Sequence, residues 1–444
     1  AARRRSGGPA PCALPVPYAL VTRGCKLNPY DSARVAGRLG GAAQARAPAE
    51  ADLILLNTCT VTHRADREAR RLVRSLRRAN PRALVAVMGC GARLHEADFR
   101  AMPEVDAVLP DAAALEEYLS ARRAPGAAGS GGAPHFGDRT RALLKVQEGC
   151  GFPCAYCVVP AVRGPSRSVP AGAVLREFRG LLDAGHREVV LTGINTGEYG
   201  KDVPGWRGGL AALLEALLKT PGRYRIRLNS VEPKAVTPGL IGLLRGEPAL
   251  AKHLQVPLQS GSDRVLRAMR RNYRAATYAS LLETLAQEVP GIGIGADVLA
   301  GFPTETAEDF EQTFSLIERS PLAFLHAFSY SPRPGTPASR LAPLDPREVH
   351  ERTRLLRALG ERKRAVFAEA FAGRTLESLT LAGERGRGRA LTTNFLDVRL
   401  SHPAPPNRFV QVLITGTEAG TVLGSALSPQ RGGRFSGPSA TRAT

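Results

Sequence analysis

Three cysteines spaced C-x3-C-x2-C, in Cys150-Gly151-Phe152-Pro153-Cys154-Ala155-Tyr156-Cys157, are the residues of this chain best placed to do chemistry. They follow an apolar segment, Leu143 to Val146. Three thiolates this close can hold three irons of a cubane iron–sulfur cluster and leave the fourth open to another ligand. Zinc and a disulfide are competing readings. Structural zinc takes four ligands, often as two spaced pairs, and the run holds one C-x2-C pair. A disulfide suits a secreted chain, and nothing else in the sequence looks secreted.

The elements around the other cysteines decide how those are read. From Tyr18 to Leu119 the pattern is strand, loop, helix, repeated. Apolar strands are expected at Tyr18 to Val21, Leu53 to Leu56, Leu84 to Val87 and Val105 to Leu109, with helices at Arg64 to Arg78 and Ala112 to Leu119. Such alternation implies a parallel sheet covered on both faces. Cys25 comes after the first strand, Cys59 after the second and Cys90 after the third. The carboxyl ends of parallel strands share one edge, where ligands bind. Any one of these thiols alone reads as a small buried hydrophobe; three in the same structural position predict a second three-cysteine cluster.

Six further strand–helix units are expected after a Gly, Ala and Pro stretch that reads as a linker. Their strands fall at Leu143 to Gln147, Glu188 to Leu191, Tyr224 to Leu228, His253 to Val256, Ile292 to Val298 and Phe324 to Tyr330. Consecutive units of this kind form a right-handed, curled sheet, a partial barrel with its chemistry at the carboxyl ends of the strands. Polar words gather there: Gly193 and Asn195, then Ser230 and Glu232, then Gln259, then Asp297 with Gly301. Each alone reads equally as a turn or cap. Arg163-Gly164-Pro165-Ser166-Arg167-Ser168 is placed to meet a phosphate or tune a cluster. Arg267 to Arg274 mixes guanidiniums with Tyr273, as in patches that hold RNA phosphates and stack on bases. A helix at Arg347 to Phe371 then leads into short strands at Thr375 to Leu381, Ala390 to Leu391, Asp397 to Leu400 and Phe409 to Thr415, which suggest a small antiparallel barrel of a sort that commonly grips nucleic acid.

A chain of 444 residues with 43% hydrophobic content can bury two or three cores. Its formal charge of +21 and pI of about 10.4 favour an anionic partner, nucleic acid first. No apolar run approaches a membrane span, and the Pro-broken start is unlike a signal peptide. A cytoplasmic, reducing setting is expected.

The three-cysteine run, with Tyr156 directly before its last member, resembles the signature of the radical S-adenosylmethionine (SAM) enzymes. The words Arg23-Gly24-Cys25-Lys26-Leu27-Asn28-Pro29-Tyr30-Asp31-Ser32, Asn57-Thr58-Cys59-Thr60-Val61-Thr62 and Met88-Gly89-Cys90 then make the whole similar to the methylthiotransferases, and most similar to the branch acting on threonylcarbamoyladenosine in tRNA. The resemblance spans about Tyr18 to Leu423. It departs from the family at Gly151-Phe152-Pro153 and Ala161-Val162, and the last domain matches loosely.

The resemblance implies an α/β chain with an N-terminal parallel-sheet domain (16–122), a linker (123–138), a partial (β/α)6 radical SAM barrel (139–371), a small C-terminal β-barrel of the TRAM type that holds tRNA (374–428) and a disordered tail (429–444). It implies two 4Fe–4S clusters, one on Cys150, Cys154 and Cys157 and one on Cys25, Cys59 and Cys90. SAM would bind the open iron of the first, with Tyr156, Gly193, Asn195, Ser230, Glu232, Gln259, Asp297 and Gly301 as its candidate contacts. There an electron from the cluster cleaves SAM to a radical; the second cluster carries and delivers a sulfur. The expected reaction places a methylthio group on carbon 2 of N6-threonylcarbamoyladenosine beside the anticodon. Its partners would be tRNA, a reductant and a sulfur donor, with the enzyme a monomer. The alternatives are the same chemistry on isopentenyladenosine or on a ribosomal protein, and a non-catalytic RNA-binding protein that holds zinc.

Overall fold

The computed structural model of the chain describes residues 17–39, 44–45, 47–121, 134–137, 139–382 and 388–427. Cys12, most of the expected linker and the expected tail lie outside these residues.

The N-terminal sheet is parallel, in the order β1 (Tyr18–Thr22), β2 (Leu53–Thr58), β3 (Leu84–Gly89) and β4 (Ala107–Leu109). Every residue of β2 is buried, which is why it reads as one unbroken apolar run: helices cover both faces of the sheet. The helix His63–Ala79 shows how they dock. Thr62 caps it by accepting from the Ala65 N–H at 3.2 Å, and Ala69, Val73 and Leu76 form its buried stripe, one turn apart. The remaining face carries most of its arginines, so the sequence's charge and its apolar period describe one amphipathic element.

The central domain holds six parallel strands in two hydrogen-bonded groups of three. The first is β5 (Arg141–Lys145), β6 (Glu188–Thr192) and β7 (Arg225–Leu228); the second is β8 (His253–Gln255), β9 (Gly293–Ala300) and β10 (Phe324–Ser329). Single bridges, Ile226 to Leu250 and Ser230 to Gln255, connect the groups, so the curl continues where the ladder breaks. Leu144, Leu191, Ile226, Leu254 and Ile294 are fully buried in one core. The first strand ends earlier than the sequence suggested. Gln147 leaves it to pair with Ser168 in a short antiparallel ribbon, and its amide donates to Gly149 O at 2.7 Å and Ser166 Oγ at 2.9 Å.

The helix Pro346–Glu369 leads to a closed barrel of β11 (Thr375–Leu381), β12 (Arg389–Thr392), β13 (Asp397–Leu400), β14 (Phe409–Glu418) and β15 (Thr421–Ala426). The sequence reading lacked β15, because Gly424 and Ser425 interrupt its apolar alternation. That strand closes the barrel by pairing with β13 and β14. The β12–β13 turn plugs the amino end of the central strands. There Arg225 Nη1 donates to Leu391 O at 3.1 Å, and Arg227 donates to Thr392 O at 3.0 Å and Thr393 O at 3.1 Å. The carboxylate of Glu188 lies between these two guanidiniums and Arg141. Among the described residues no helix is long and apolar enough to cross a membrane.

Candidate functional site

Cys25 and Cys59 lie on the turns that follow β1 and β2, and Cys90 opens the short helix Cys90–Leu94 directly after β3, all at the carboxyl edge of the N-terminal sheet. Parallel register fixes this: Thr22 pairs with Asn57 and Thr58 with Gly89. Gly89 makes the third turn possible. It sits at φ 90°, and a Cβ there would come within 2.2 Å of Asn57 Oδ1 and 2.7 Å of Thr58 O. A net of amides holds the turns together: Asn28 Nδ2 donates to Arg23 O at 2.6 Å and Thr58 O at 3.0 Å, and Asn57 Nδ2 donates to Asn28 O at 2.9 Å. The three thiols are close enough to act on one another's ionisation. Burial pushes the Cys90 thiol up to about 11, against the opposing pull of Arg163.

The second group sits on the loop after β5. The Phe152 and Val159 N–H groups donate to Cys150 Sγ and Cys157 Sγ, each at 3.4 Å, and Arg271 Nη1 donates to Cys154 Sγ at 3.3 Å. The loop is pinned by Cys150 N–H on Gly164 O at 3.1 Å, Gly151 N–H on Glu198 Oε2 at 3.0 Å and Ala155 N–H on Met269 O at 3.0 Å. Burial raises the Cys157 thiol to about 12 and raises Cys150 as well. Nucleophilic cysteines have lowered values. Burial accounts for the raised values here.

Among the described residues, no three His, Cys, Asp or Glu side chains close around a single ion. A cubane is larger than an ion and takes its thiolates at separate corners. The donor set fits it: in the run each sulfur accepts from a backbone N–H or a guanidinium. Asn195 adds a further fitting feature. Its N–H donates to Gln147 Oε1 at 2.8 Å and its Nδ2 lies 4.0 Å from Cys150 Sγ, while its buried Oδ1 has no hydrogen-bond partner, a spare acceptor beside the cysteines.

The other expected contacts line the same rim. Ser230 follows β7, and its carbonyl accepts from Thr196 Oγ1 at 2.9 Å. Gln259 is held at φ 63° between Asp297 O and Leu299 N, at 2.8 and 2.9 Å. Left-handed backbone in a residue with a full side chain costs about 1–3 kcal/mol, and such strain gathers at working sites. Asp297 lies within β9, where Oδ1 accepts from Gln255 Nε2 at 2.9 Å and faces His326 Nδ1 at 3.1 Å. Tyr156 is half-buried against Ala155, Met269 and Phe302. At Gly193 and Gly301 protein atoms fill the space a Cβ would need: Gln147 Oε1 at 2.9 Å and Val349 Cγ2 at 2.5 Å. The close approach of these atoms requires glycine at both positions.

Two arginine words divide differently from the sequence expectation. Arg163, expected to meet a phosphate or tune a cluster, is buried, with Asp31 and Glu148 each 2.8 Å from Nη1, Asn28 Oδ1 2.8 Å from Nη2 and Cys90 Sγ 3.0 Å from Nε. Burial works against its charge, but Asp31, Cys90 and Glu148 hold it well above the usual guanidinium value. In the second word Arg267, Arg270 and Arg274 are exposed, whereas Arg271 pairs with Glu232 and Tyr273 donates to Leu258 O at 2.7 Å. Burial raises the Glu232 carboxyl despite Arg271.

Arg333 and Lys26 were not picked out from sequence. Arg333, after β10, donates to Thr60 Oγ1 at 3.0 Å and Asp66 Oδ2 at 2.7 Å, fully buried. Lys26 crosses the other way, its ammonium donating to Asn229 Oδ1 at 2.6 Å. The surrounding protein, then Arg141 and Arg227, press that ammonium down to about 8. These contacts set the cysteine edge of the N-terminal sheet against the carboxyl rim of the central strands. A separate cavity of about 620 Å³, lined by Ala275, Glu311, Gln312 and Arg319, is formed by residues other than these.

The chain is similar to known proteins along most of its length. Residues 17–110 match "Uncharacterized protein family UPF0004" and residues 144–317 match the radical SAM superfamily. The chain is 34% identical to a threonylcarbamoyladenosine tRNA methylthiotransferase of Aquifex aeolicus, over 89% of this chain and 99% of that one. It is 36% identical to the protein of that name in Bacillus subtilis, over 81% and 83%. It is also 35% identical to a tRNA-2-methylthio-N6-dimethylallyladenosine synthase of Mycolicibacterium vanbaalenii, over 90% and 84%. Among solved structures, the radical SAM methyltransferase TsrM of Kitasatospora setae superposes with a TM-score of 0.50 at 16% identity, covering 73% of this chain and 75% of that one.

Proposed function

We propose, from the fact that this chain belongs to the radical SAM methylthiotransferase family, that its substrate is N6-threonylcarbamoyladenosine beside the anticodon of a tRNA and its product the 2-methylthio derivative. The observation that supports the reaction class is two three-cysteine groups, one on the carboxyl edge of each domain, with Arg163 spanning the contact between those domains. Family membership puts the zinc-binding alternative aside.

Carbon 2 of an adenine has no acidic proton and no leaving group, so acid and base residues cannot replace its hydrogen. A reduced 4Fe–4S cluster with SAM on its open iron supplies the radical that can. Cys150, Cys154 and Cys157 would hold that cluster, and Asn195, with its spare Oδ1, would meet the polar end of SAM. Cys25, Cys59 and Cys90 would hold the second, which would carry the sulfur. Arg271 and Arg163 each donate to a cysteine sulfur and each carry a carboxylate partner, which fixes the guanidinium against the sulfur. The balance of the reaction asks for more than the chain holds. One hydrogen would leave carbon 2 for the 5′-deoxyadenosyl radical and one methylthio group would arrive, so a second SAM for the methyl, a sulfur donor and a source of electrons must serve the enzyme.

The choice of base rests on the words around Cys25 and Cys59, which resemble the threonylcarbamoyl branch; the dimethylallyl relatives are as similar in overall identity. The test is mass spectrometry of tRNA nucleosides from cells with and without this chain. Loss of 2-methylthio-threonylcarbamoyladenosine, with its unthiolated parent accumulating, is expected. Loss of a different methylthio nucleoside would move the assignment to another base.

A further inference from the structure

The contact between the cysteine edge of the N-terminal sheet and the carboxyl rim of the central strands is lined by cations, and most of them are already neutralised. Arg163 has Asp31 and Glu148, Arg271 has Glu232, Arg333 has Asp66, and Arg227 has Glu188. Lys26 differs. Among the described residues no carboxylate lies within ion-pair distance of its ammonium, whose hydrogen-bond partner is the neutral Asn229 Oδ1 at 2.6 Å. The residue keeps solvent-exposed surface although it stands in the contact between the domains, while its ammonium is crowded by the protein around it. Asp297 and Glu188 are close enough to act on it, but Asp297 is engaged by Gln255 and His326, and Glu188 by Arg225 and Arg227. Two further facts fix its place. It follows Cys25 directly in the chain, and Asn229 follows β7 at the rim that also bears Ser230 and Glu232.

We propose that Lys26 is the specificity-determining cation of the site, pairing with the free carboxylate of the amino-acid substituent on N6 of the substrate base. This rests on the threonylcarbamoyl reading above and explains how that base is chosen. The threonylcarbamoyl group ends in a carboxylate, whereas the dimethylallyl group is wholly apolar. Carbon 2 and carbon 6 of adenine flank the same ring nitrogen, so a cation beside a sulfur-supplying cysteine is within reach of what hangs from carbon 6. The unpaired ammonium also acts against the alternative, because an apolar substituent laid on it would strip its water and give nothing back. Asn229 keeps the chain aimed without cancelling its charge.

The test measures binding of anticodon stem-loop RNAs to the cluster-loaded enzyme by fluorescence anisotropy, alongside methylthio product. One RNA carries threonylcarbamoyladenosine, one the carboxamide of the same group, one dimethylallyladenosine. In the wild type the carboxamide should bind more weakly by about 10- to 100-fold, the loss of one hydrogen bond to a charged group. Lys26→Gln should lose the same factor on the carboxylate RNA, lose little more on the carboxamide, and keep its iron content; Lys26→Arg should recover most of the loss. If Lys26→Gln weakens carboxylate and carboxamide RNAs equally, or neither, the role given to Lys26 is wrong while the substrate assignment stands. If the wild type thiolates the dimethylallyl RNA and not the threonylcarbamoyl one, the substrate assignment fails and the Lys26 pairing falls with it.

Discussion

Arg163 donates its Nε–H to Cys90 Sγ at 3.0 Å, across a gap of 73 positions and from one domain to the other. The same guanidinium takes Asp31 Oδ2 and Glu148 Oε1, so one side chain ties the loop after the first cysteine run to the helix after β1.

Removing that guanidinium should therefore do two separable things. In Arg163→Met, Asp31 and Glu148 face each other with only Lys145 between them, and stability should fall by about 3 kcal/mol, the scale for breaking a buried ion pair. The cluster proposed for Cys90 should also lose a positive neighbour and a hydrogen bond to sulfur, both of which favour its reduced form. Its reduction potential should move to a more negative value. Redox titration followed by electron paramagnetic resonance checks the second effect, and thermal melting the first. An unchanged potential with a lowered melting point would leave Arg163 a structural tie alone.

The elements and cysteines were readable because strong local signals mark them: apolar runs of strand length, then a cysteine after each of three successive strands. The strand Thr375–Leu381 falls where the sequence put it, and the helix Pro346–Glu369 is within two residues. The guanidiniums were not readable, because a side chain's partner is chosen by where the fold brings it. Arg271 and Tyr273 stand in a word that looks like an RNA-facing patch, yet both are buried, while Arg163, expected to meet a phosphate or tune a cluster, is buried against Cys90. Arg333 had only its place after the last central strand to suggest it. Gln259 was chosen as a polar loop residue; its left-handed backbone, which favours a working role, has no signature in an amino-acid name.

Glu188 should be a weak point of the whole molecule. Its carboxylate is fully buried under Arg141, Arg225 and Arg227, two of which also hold the β12–β13 turn of the C-terminal barrel. Burial alone would raise its ionisation; Arg227 and its companions outweigh that and hold the group below the usual carboxylate value. Burial and repulsion from Arg227 in turn weaken the charge on Arg141 and Arg225, as one carboxylate between three guanidiniums requires. A carboxylate with a lowered value adds stability that is full above the ordinary Glu range, about pH 4.3, and is lost as the pH falls below it. Glu188→Gln should thus cost about 3–5 kcal/mol at neutral pH and show a shallower loss of stability into acid than the wild type. Urea melts at a series of pH values measure both. Parallel curves would remove Glu188 from the acid transition.

Gly149 should tolerate no side chain. It precedes the first cysteine of the run at φ 72°, and a Cβ would fall 1.9 Å from Pro165 O, a backbone atom that cannot swing away. Gly149→Ala must therefore open the turn that Cys150 N–H closes on Gly164 O. The expected result is a protein that keeps its N-terminal cluster and loses the other. Iron per chain should drop to half after anaerobic reconstitution, and formation of 5′-deoxyadenosine should stop. Full iron in this variant would mean that the turn is not what places Cys150.

The two cysteine groups can be told apart by what each loss spares. Replacing Cys25, Cys59 or Cys90 by Ala removes a proposed ligand from the carboxyl edge of the N-terminal sheet and leaves in place the hydrogen bonds that pin the loop after β5 to Gly164, Glu198 and Met269. Each such variant should hold half the iron, still cleave SAM to 5′-deoxyadenosine, and make no methylthio product. Cys150, Cys154 or Cys157 to Ala should also hold half the iron, but release no 5′-deoxyadenosine. Cys90→Ala should differ from its two companions by also freeing Arg163, whose remaining partners are carboxylates and the Asn28 carbonyl. Its pairing with Asp31 and Glu148 then goes on holding the domains, so a melting temperature close to that of the wild type is expected despite the lost cluster contact. Iron content and nucleoside mass spectrometry on the six variants decide the assignment: any N-terminal cysteine whose loss leaves the iron whole is not a ligand.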